Sequence, residues 1–312
     1  MAITNSDQQP AGCCCRVDER DFLIIFRDDF LYKVRRMTKR VLALVALSAA
    51  LLMSTGCNKL RARDQLNKGV QAYKAARYEQ AIEFFKNAVS YDPNLAVAKL
   101  YLATAYAQQY VPGVDSPENN KMGEQAIEEY KDVLKQEKTS EENRVTANKG
   151  IASIYFNSKK FDEAKQYHNE VLKLDPKDPE TYYSIGVIDW TQAYQPRQEA
   201  RARLGIQKAE EPLKDKKVCE QLKEHNAPII DEGIEKLNKA MELRENYDDA
   251  AAYLNLLYRE KAEIECGDPS ARQADIAKAD EWVQKTLEFK KLKAEKEANK
   301  GGGGIVLDEE KK

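Results

Sequence analysis

A chain of 312 residues, 33% charged and 42% hydrophobic, is long enough for one large domain or two ordinary ones. A composition rich in Ala, Lys, Glu and Leu, with only 14 Gly and 10 Pro, favours helix over sheet. The formal net charge of −2 excludes a general attraction to nucleic acid, which needs clustered, uncompensated Lys and Arg.

The amino-terminal segment reads as an address. From Met37 the chain runs MTKRVLALVALSAALLMSTGC, with Lys39 and Arg40 ahead of an apolar run from Val41 to Met53. Small residues Ser54, Thr55 and Gly56 then lead to Cys57. A positive start, a short apolar stretch and a small-residue end are the parts of a secretory signal, and the stretch falls short of the ~20 residues of a membrane span. Its ending resembles the lipobox of bacterial lipoproteins, which implies that Cys57 is acylated and becomes the first mature residue. The resemblance also implies a lipid-anchored chain in the cell envelope, facing the periplasm. No Asp follows Cys57 directly, which by the sorting rule of enteric-type bacteria favours the outer membrane over the inner. Residues 1–36 mix acidic and basic side chains around Cys13 to Cys15 and make a poor start for such a signal. We read them as a disordered extension upstream of a true start at Met37, residues 37–56 as the signal and 57–61 as the lipidated terminus and linker.

Repeats fill the body. The segment from Ala62, ARDQLNKGVQAYKAARYEQAIEFFKNAVSYDPN, sets Gly69, Tyr73, Tyr78, Ala81, Phe85, Ala88 and Pro93 at the spacing of a helix hairpin with small residues at the close approach and Pro at its end. A second run, LAVAKLYLATAYAQQY, is parted from GEQAIEEYKDVLKQ by an insertion near 110–119 whose Pro112, Gly113 and Pro117 mark a loop. The third unit, NKGIASIYFNSKKFDEAKQYHNEVLKLDP, repeats the first pattern with Ala152, Tyr155, Phe161, Ala164, Val171 and Pro176. A fourth begins at TYYSIGVIDWTQAY and finds its second helix, PIIDEGIEKLNKAMEL, only after an insertion near 192–227, enough for one short helix of its own. DDAAAYLNLLYREKAEIE opens a fifth, and a long helix from Asp275 caps the array. Residues 300–312 read as a disordered tail after the glycines at Gly301 to Gly304.

These spacings resemble the tetratricopeptide repeat. The resemblance implies an all-α solenoid over 62–299, about five units with two interrupted, whose first helices line a concave face. Carried over position by position, that face takes Leu66, Val70 and Tyr73, then Leu100 and Thr104, Ser153 and Phe156, and Tyr183, Val187 and Trp190. The family implies a partner protein or peptide of the envelope as occupant; packing between repeats is the competing use of the same aromatics. Leu66 and Val70 replace the Lys and Asn with which some members grip a terminal carboxylate, so that clamp is not expected. A cell-wall or carbohydrate-binding accessory role is the alternative, because Tyr182, Tyr183, Trp190 and Tyr194 suit stacking on sugar rings.

Cys219 and Cys266 lie in late segments that would face an oxidising compartment after export, so they are candidates for a disulfide or for two free thiols. The cysteine spacings match no zinc motif, and with two histidines, His168 and His225, a His-rich site is not expected either, so no metal or cofactor is expected. His168 falls at a packing position on its helix. No phosphate loop or nucleophile elbow is present, which argues for a binding protein rather than an enzyme.

Overall fold

A computed structural model describes residues 57–208 and 211–301. The signal, the upstream extension and most of the tail lie outside them. All regular structure among the described residues is helical. The helices are α1 (residues 57–74), α2 (Tyr78–Tyr91), α3 (Ala96–Gln109), α4 (Pro117–Lys135) and α5 (Glu141–Asn157). There follow α6 (Phe161–Leu174), α7 (Pro179–Arg203), α8 (Lys216–Leu243), α9 (Asp248–Glu263) and α10 (Pro269–Gly301). The repeats from Ala62 onward form a unit of their own. Within it each helix from α2 onward packs on the next, and α3 lies against α5 and α7 against α9. That is the contact order of stacked hairpins, and five pairs account for it.

Local chemistry sets the punctuation. At the end of α1 the N–H of Arg77 donates to the Ala72 carbonyl (2.9 Å) and that of Ala76 to Tyr73 (2.9 Å). The same two bonds recur after α5, Lys160 to Tyr155 and Lys159 to Phe156, both 2.9 Å. Ala76 and Lys159 sit at φ 55° and 58°, the left-handed turn that ends a helix by satisfying its last carbonyls. Ser116, Ser140, Asp178 and Asp215 start α4, α5, α7 and α8 by accepting from a backbone N–H two or three residues ahead.

Packing within a hairpin pairs a glycine with a large side chain. A Cβ at Gly69 would lie 2.4 Å from the Phe85 ring, and one at Gly186 2.5 Å from Leu237. The helices approach so closely that only hydrogen fits, and Phe85 and Leu237 are fully buried as a result. Two hydrophobic clusters form in this way. The first runs from α1 to α5 around Phe85, Tyr106, Tyr130 and Ile151, and the second from α7 to α10 around Ile230, Leu237, Leu254 and Trp282.

The insertions differ from one another. Residues 110–116 form a loop held by Asn119, whose Oδ1 accepts from Val111 N–H (2.7 Å) while Nδ2 donates to the carbonyls of Val111 (2.9 Å) and Val114 (2.7 Å). In unit four, by contrast, no separate short helix forms. The segment lengthens both helices of the hairpin, so that α7 has 25 residues and α8 has 28, with Pro196 and Pro228 inside them. A proline in a helix strands a carbonyl in the preceding turn. Here the buried Asn226 on α8 donates to Ala193 O (2.8 Å), within the turn before Pro196. The α7 extension then docks on α9 through ion pairs. Arg197 meets Glu260 with two bonds, 2.5 and 2.8 Å, and Arg201 meets Glu263 at 2.8 Å. Arg201 also donates to the carbonyls of Lys208 and Glu211 and so fixes the connection to α8. A disulfide joins Cys219 at the start of α8 to Cys266 between α9 and α10, with Cα atoms 5.7 Å apart. Finally, the helix from Asp275 begins earlier, at Pro269, and completes the fifth hairpin as α10.

Candidate binding cavity between the third and fourth units

Between α5 and α7 the two hydrophobic clusters end without merging, and these helices approach less closely than the α3–α5 and α7–α9 pairs. The space left is a cavity of about 260 Å³. Helical spacing builds its walls. Lys149, Ser153 and Phe156 stand on one face of α5, and Glu180, Tyr183, Ser184, Val187 and Ile188 on one face of α7. His168 reaches it from α6.

Each charged group at the rim is already satisfied. Lys149 Nζ lies 2.5 Å from Asp178 Oδ2, and the same carboxylate accepts from Thr181 Oγ1 at 2.6 Å. Burial pushes the Asp178 carboxyl up, but its bonds from Lys149 and Thr181 outweigh this and hold it below the usual range. Glu180 accepts from Arg244 at 2.5 Å and Tyr247 at 2.8 Å, and the same balance leaves its carboxyl lowered. His168 is 7% exposed, and its Nδ1 has no hydrogen-bond partner. Burial, helped by the nearby Lys149, lowers the imidazole to about 4, so it is neutral at neutral pH. Tyr183 is pushed up to about 12, chiefly by burial, and keeps its proton. Neutral walls inside a rim of paired charges suit recognition by shape and weak polar contacts. They supply no activated nucleophile.

Of the residues expected on the concave face, Ser153, Phe156, Tyr183 and Val187 come together here. The others do not. Leu66, Val70 and Tyr73 are partly buried against the first cluster, and Leu100, 9% exposed, belongs to that core. Thr104 is taken up by Leu100 O (2.8 Å) and the Tyr130 hydroxyl (3.2 Å). Trp190 turns into the α7–α9 interface, with ring centroids 5.1 Å from Tyr194 and 5.4 Å from Tyr253. Its Nε1 is buried there without a partner. Tyr183 shares that interface on one side, 5.3 Å from Tyr247, while lining the cavity on the other. For Leu100 and Trp190, then, packing between elements is the role that the geometry supports. Lys149, Glu180 and Ser184 were not foreseen as part of the site, although they share helical register with Phe156 and Tyr183. His168 packs on α6 as expected and also borders the cavity.

Among the described residues no cluster of His, Cys, Asp or Glu is placed to hold a metal ion, and no helix is long and apolar enough to cross a membrane. Cys57 is exposed.

Comparison with curated proteins returns no match. Among solved structures, a crystal structure of MamA superposes with a TM-score of 0.49 at 17% identity, over 75% of this chain and 94% of that one. MamA from Desulfovibrio magneticus RS-1 gives 0.48 at 16%, over 74% and 96%. YrrB, described as a TPR protein with an unusual peptide-binding site, gives 0.43 at 14%, over 73% and 90%. At these values the superpositions say nothing of what this chain binds. The tetratricopeptide repeat family model matches residues 65–95 and 150–178, the hairpins of units one and three. With that match and an all-helical stack of hairpins, the chain carries tetratricopeptide repeats within a helical solenoid.

Proposed function

We propose that the chain is a lipid-anchored adaptor of the bacterial cell envelope that holds a partner protein or peptide in the groove between α5 and α7. The observation that carries the reading is the cavity itself, an opening where the two hydrophobic clusters stop, walled by side chains whose charges are already neutralised. Anchoring rests on the sequence from Met37 to Cys57, in which a secretory signal ends at a lipobox-like cysteine. One acyl chain anchors weakly and two or three anchor stably, at roughly 0.8 kcal/mol per buried CH₂. The repeat array would then stand off the membrane with its groove open to a periplasmic partner. The carbohydrate alternative loses ground to this reading, because the Trp190 ring is occupied by tyrosines rather than free to stack on a sugar.

In-cell photo-crosslinking tests the adaptor role. A photoreactive residue at Ser153 or Val187 should capture one discrete envelope protein, and one at the exposed Asn169 on α6 should not. Equal capture from all three positions, or none, would remove the groove from the function. In parallel, Cys57→Ala should move the chain from the membrane to the soluble fraction. Unchanged fractionation would end the lipid-anchor reading.

A further inference from the structure

We infer that the cavity between α5 and α7 is the receptacle for a single uncharged aromatic side chain of the partner, a tryptophan or a tyrosine. The inference rests on the groove reading above and specifies its chemistry. Size comes first: about 260 Å³ accommodates one large side chain and excludes a packed helix. The walls then select against charge. Lys149 is held by Asp178, and Glu180 by Arg244 and Tyr247, so an incoming carboxylate or ammonium finds no free counter-charge. It would lose its hydration with nothing gained in exchange.

The remaining lining separates aromatic from aliphatic occupants. Phe156, Tyr183, Val187 and Ile188 supply apolar area, while the Ser153 and Ser184 hydroxyls and the His168 ring add polar edges. The Ser184 hydroxyl already donates to Glu180 O at 2.8 Å, which leaves its oxygen as an acceptor. His168 is more than nine-tenths buried and neutral, and its Nδ1 is itself buried, so the serine hydroxyls are the acceptors that an occupant can reach and the imidazole is a neighbouring ring. A leucine side chain would leave all of these unanswered. An indole N–H or a phenol O–H brings the apolar face and one donor together, the combination that makes Trp and Tyr dominate protein interfaces.

The two histidines make the test internal. The intact chain, ¹³C-labelled at histidine, is titrated with N-acetyl-tryptophanamide and N-acetyl-tyrosinamide, and then with the leucine, lysine and glutamate analogues. The aromatic probes should shift the His168 ring resonances saturably, with a dissociation constant on the order of a millimolar, while His225 stays still. The leucine probe should bind at least about fivefold more weakly, and the charged probes should give no saturable shift. Ser153→Trp and Val187→Phe fill the cavity from opposite walls, and each should abolish the shift with helical content unchanged. If one of them fails to fold, the other and the wild-type titration still decide. A leucine or charged probe that shifts His168 as strongly as the aromatic ones overturns the aromatic assignment. No shift by any probe makes the cavity a packing void and overturns the inference. The adaptor reading fails separately: a cavity that fills while Ser153 and Val187 crosslink nothing supports the receptacle and removes the adaptor.

Discussion

The array from α1 to α5 and the array from α7 to α10 are built from the same hairpin, yet they are held by different forces. In the first, every fully buried anchor is apolar, and Asn119, Thr139 and Asn148 are the buried polar residues that the structure describes there. In the second, Asp189, Arg201, Asp248, Glu260 and Glu263 are buried as well, most of them in ion pairs that cross between helices. Burying a charge is costly unless it is paired, so the second array gains its specificity of docking at the expense of tolerance. The long α7–α8 hairpin explains the need. Apolar repeats alone fix neighbours one hairpin apart, whereas the extension beyond Pro196 has to be aimed at α9.

The largest expected effects set these two regimes side by side. Phe85→Ala should cost about 3–5 kcal/mol, as removal of a fully buried ring in a core that cannot collapse. Arg197→Met should cost a similar amount, because it leaves Glu260, 3% exposed, without its bidentate partner. The regimes part in the double variants. Arg197→Met with Glu260→Leu should return to near the wild-type urea midpoint, since two apolar groups replace two charges. No second change at Tyr101, which stacks on Phe85 at 5.5 Å, should restore Phe85→Ala. An Arg197/Glu260 double variant as unstable as Arg197→Met alone would contradict the electrostatic account of the second array.

The next effect, about 4 kcal/mol for one group and about 3 kcal/mol for another, lies at the seam between the arrays. Burial pushes Asp189 up to about 7, and the Lys165 ammonium, 2.7 Å from Asp189 and 2.6 Å from Glu232, offsets that only in part. Its folded pKa lies above the unfolded one, so its contribution is full below pH 3.8 and is lost as pH rises to about 7. His168 has the opposite sign. Its pKa is depressed to about 4, so its contribution is full above pH 6.5 and is lost as pH falls to about 4. The two slopes oppose each other across pH 4 to 6.5 and largely cancel in the wild type. Relative to wild type, His168→Gln should lose stability as pH rises through that window, and Asp189→Asn should gain it. Urea midpoints that shift in the same direction for both variants would show that burial is not what tunes these groups.

Removing the disulfide should come next, at about 3 kcal/mol for a bridge closing a separation of 47 residues. Cys219→Ser/Cys266→Ser should lower the midpoint by that amount under oxidising conditions. Reductant should bring the wild type down to the same value. If the double variant and the wild type agree without reductant, the bridge does not form in solution.

What could be read from the sequence follows the range of the interactions. Units one and three were legible because their signals are local: a turn closed by two short backbone bonds in both, and in unit one a glycine facing a ring of the same hairpin. The unit-four extension was not, because Pro196 and Pro228 ordinarily end helices, and the bond that ties α8 to the turn before the first, from Asn226 to Ala193 O, spans 33 residues. The cavity was half legible. Ser153, Phe156, Tyr183 and Val187 follow from the positions that the resemblance to the repeat family assigns to the concave face. Which turn of α7 faces α5 and which faces α9 is decided by packing between hairpins, so Trp190 carried the same register signal as Val187 and went the other way. Lys149 and Glu180 belong to the site through their partners Asp178 and Arg244, pairings that register does not reveal.

The smallest effect sharpens the contrast between neutral and charged arrays at the level of a single cap. Ser140 starts α5 by accepting from Asn143 N–H at 3.3 Å, and Asp178 starts α7 by accepting from Glu180 N–H at 3.3 Å. Either replaced by alanine should cost on the order of 1 kcal/mol. The hydroxyl of Ser140 does not titrate, so the Ser140→Ala penalty should be flat from pH 3 to pH 8. The carboxyl of Asp178 also holds Lys149 and Thr181, and its folded pKa is depressed. Its contribution is therefore present above the ordinary carboxylate range and is lost as pH falls through the lowered pKa. The Asp178→Ala penalty should accordingly shrink with acidification while that of Ser140→Ala holds. Equal pH dependence in the two variants would mean that the Asp178 charge adds nothing to the cap and that the difference between the arrays ends short of their helix termini.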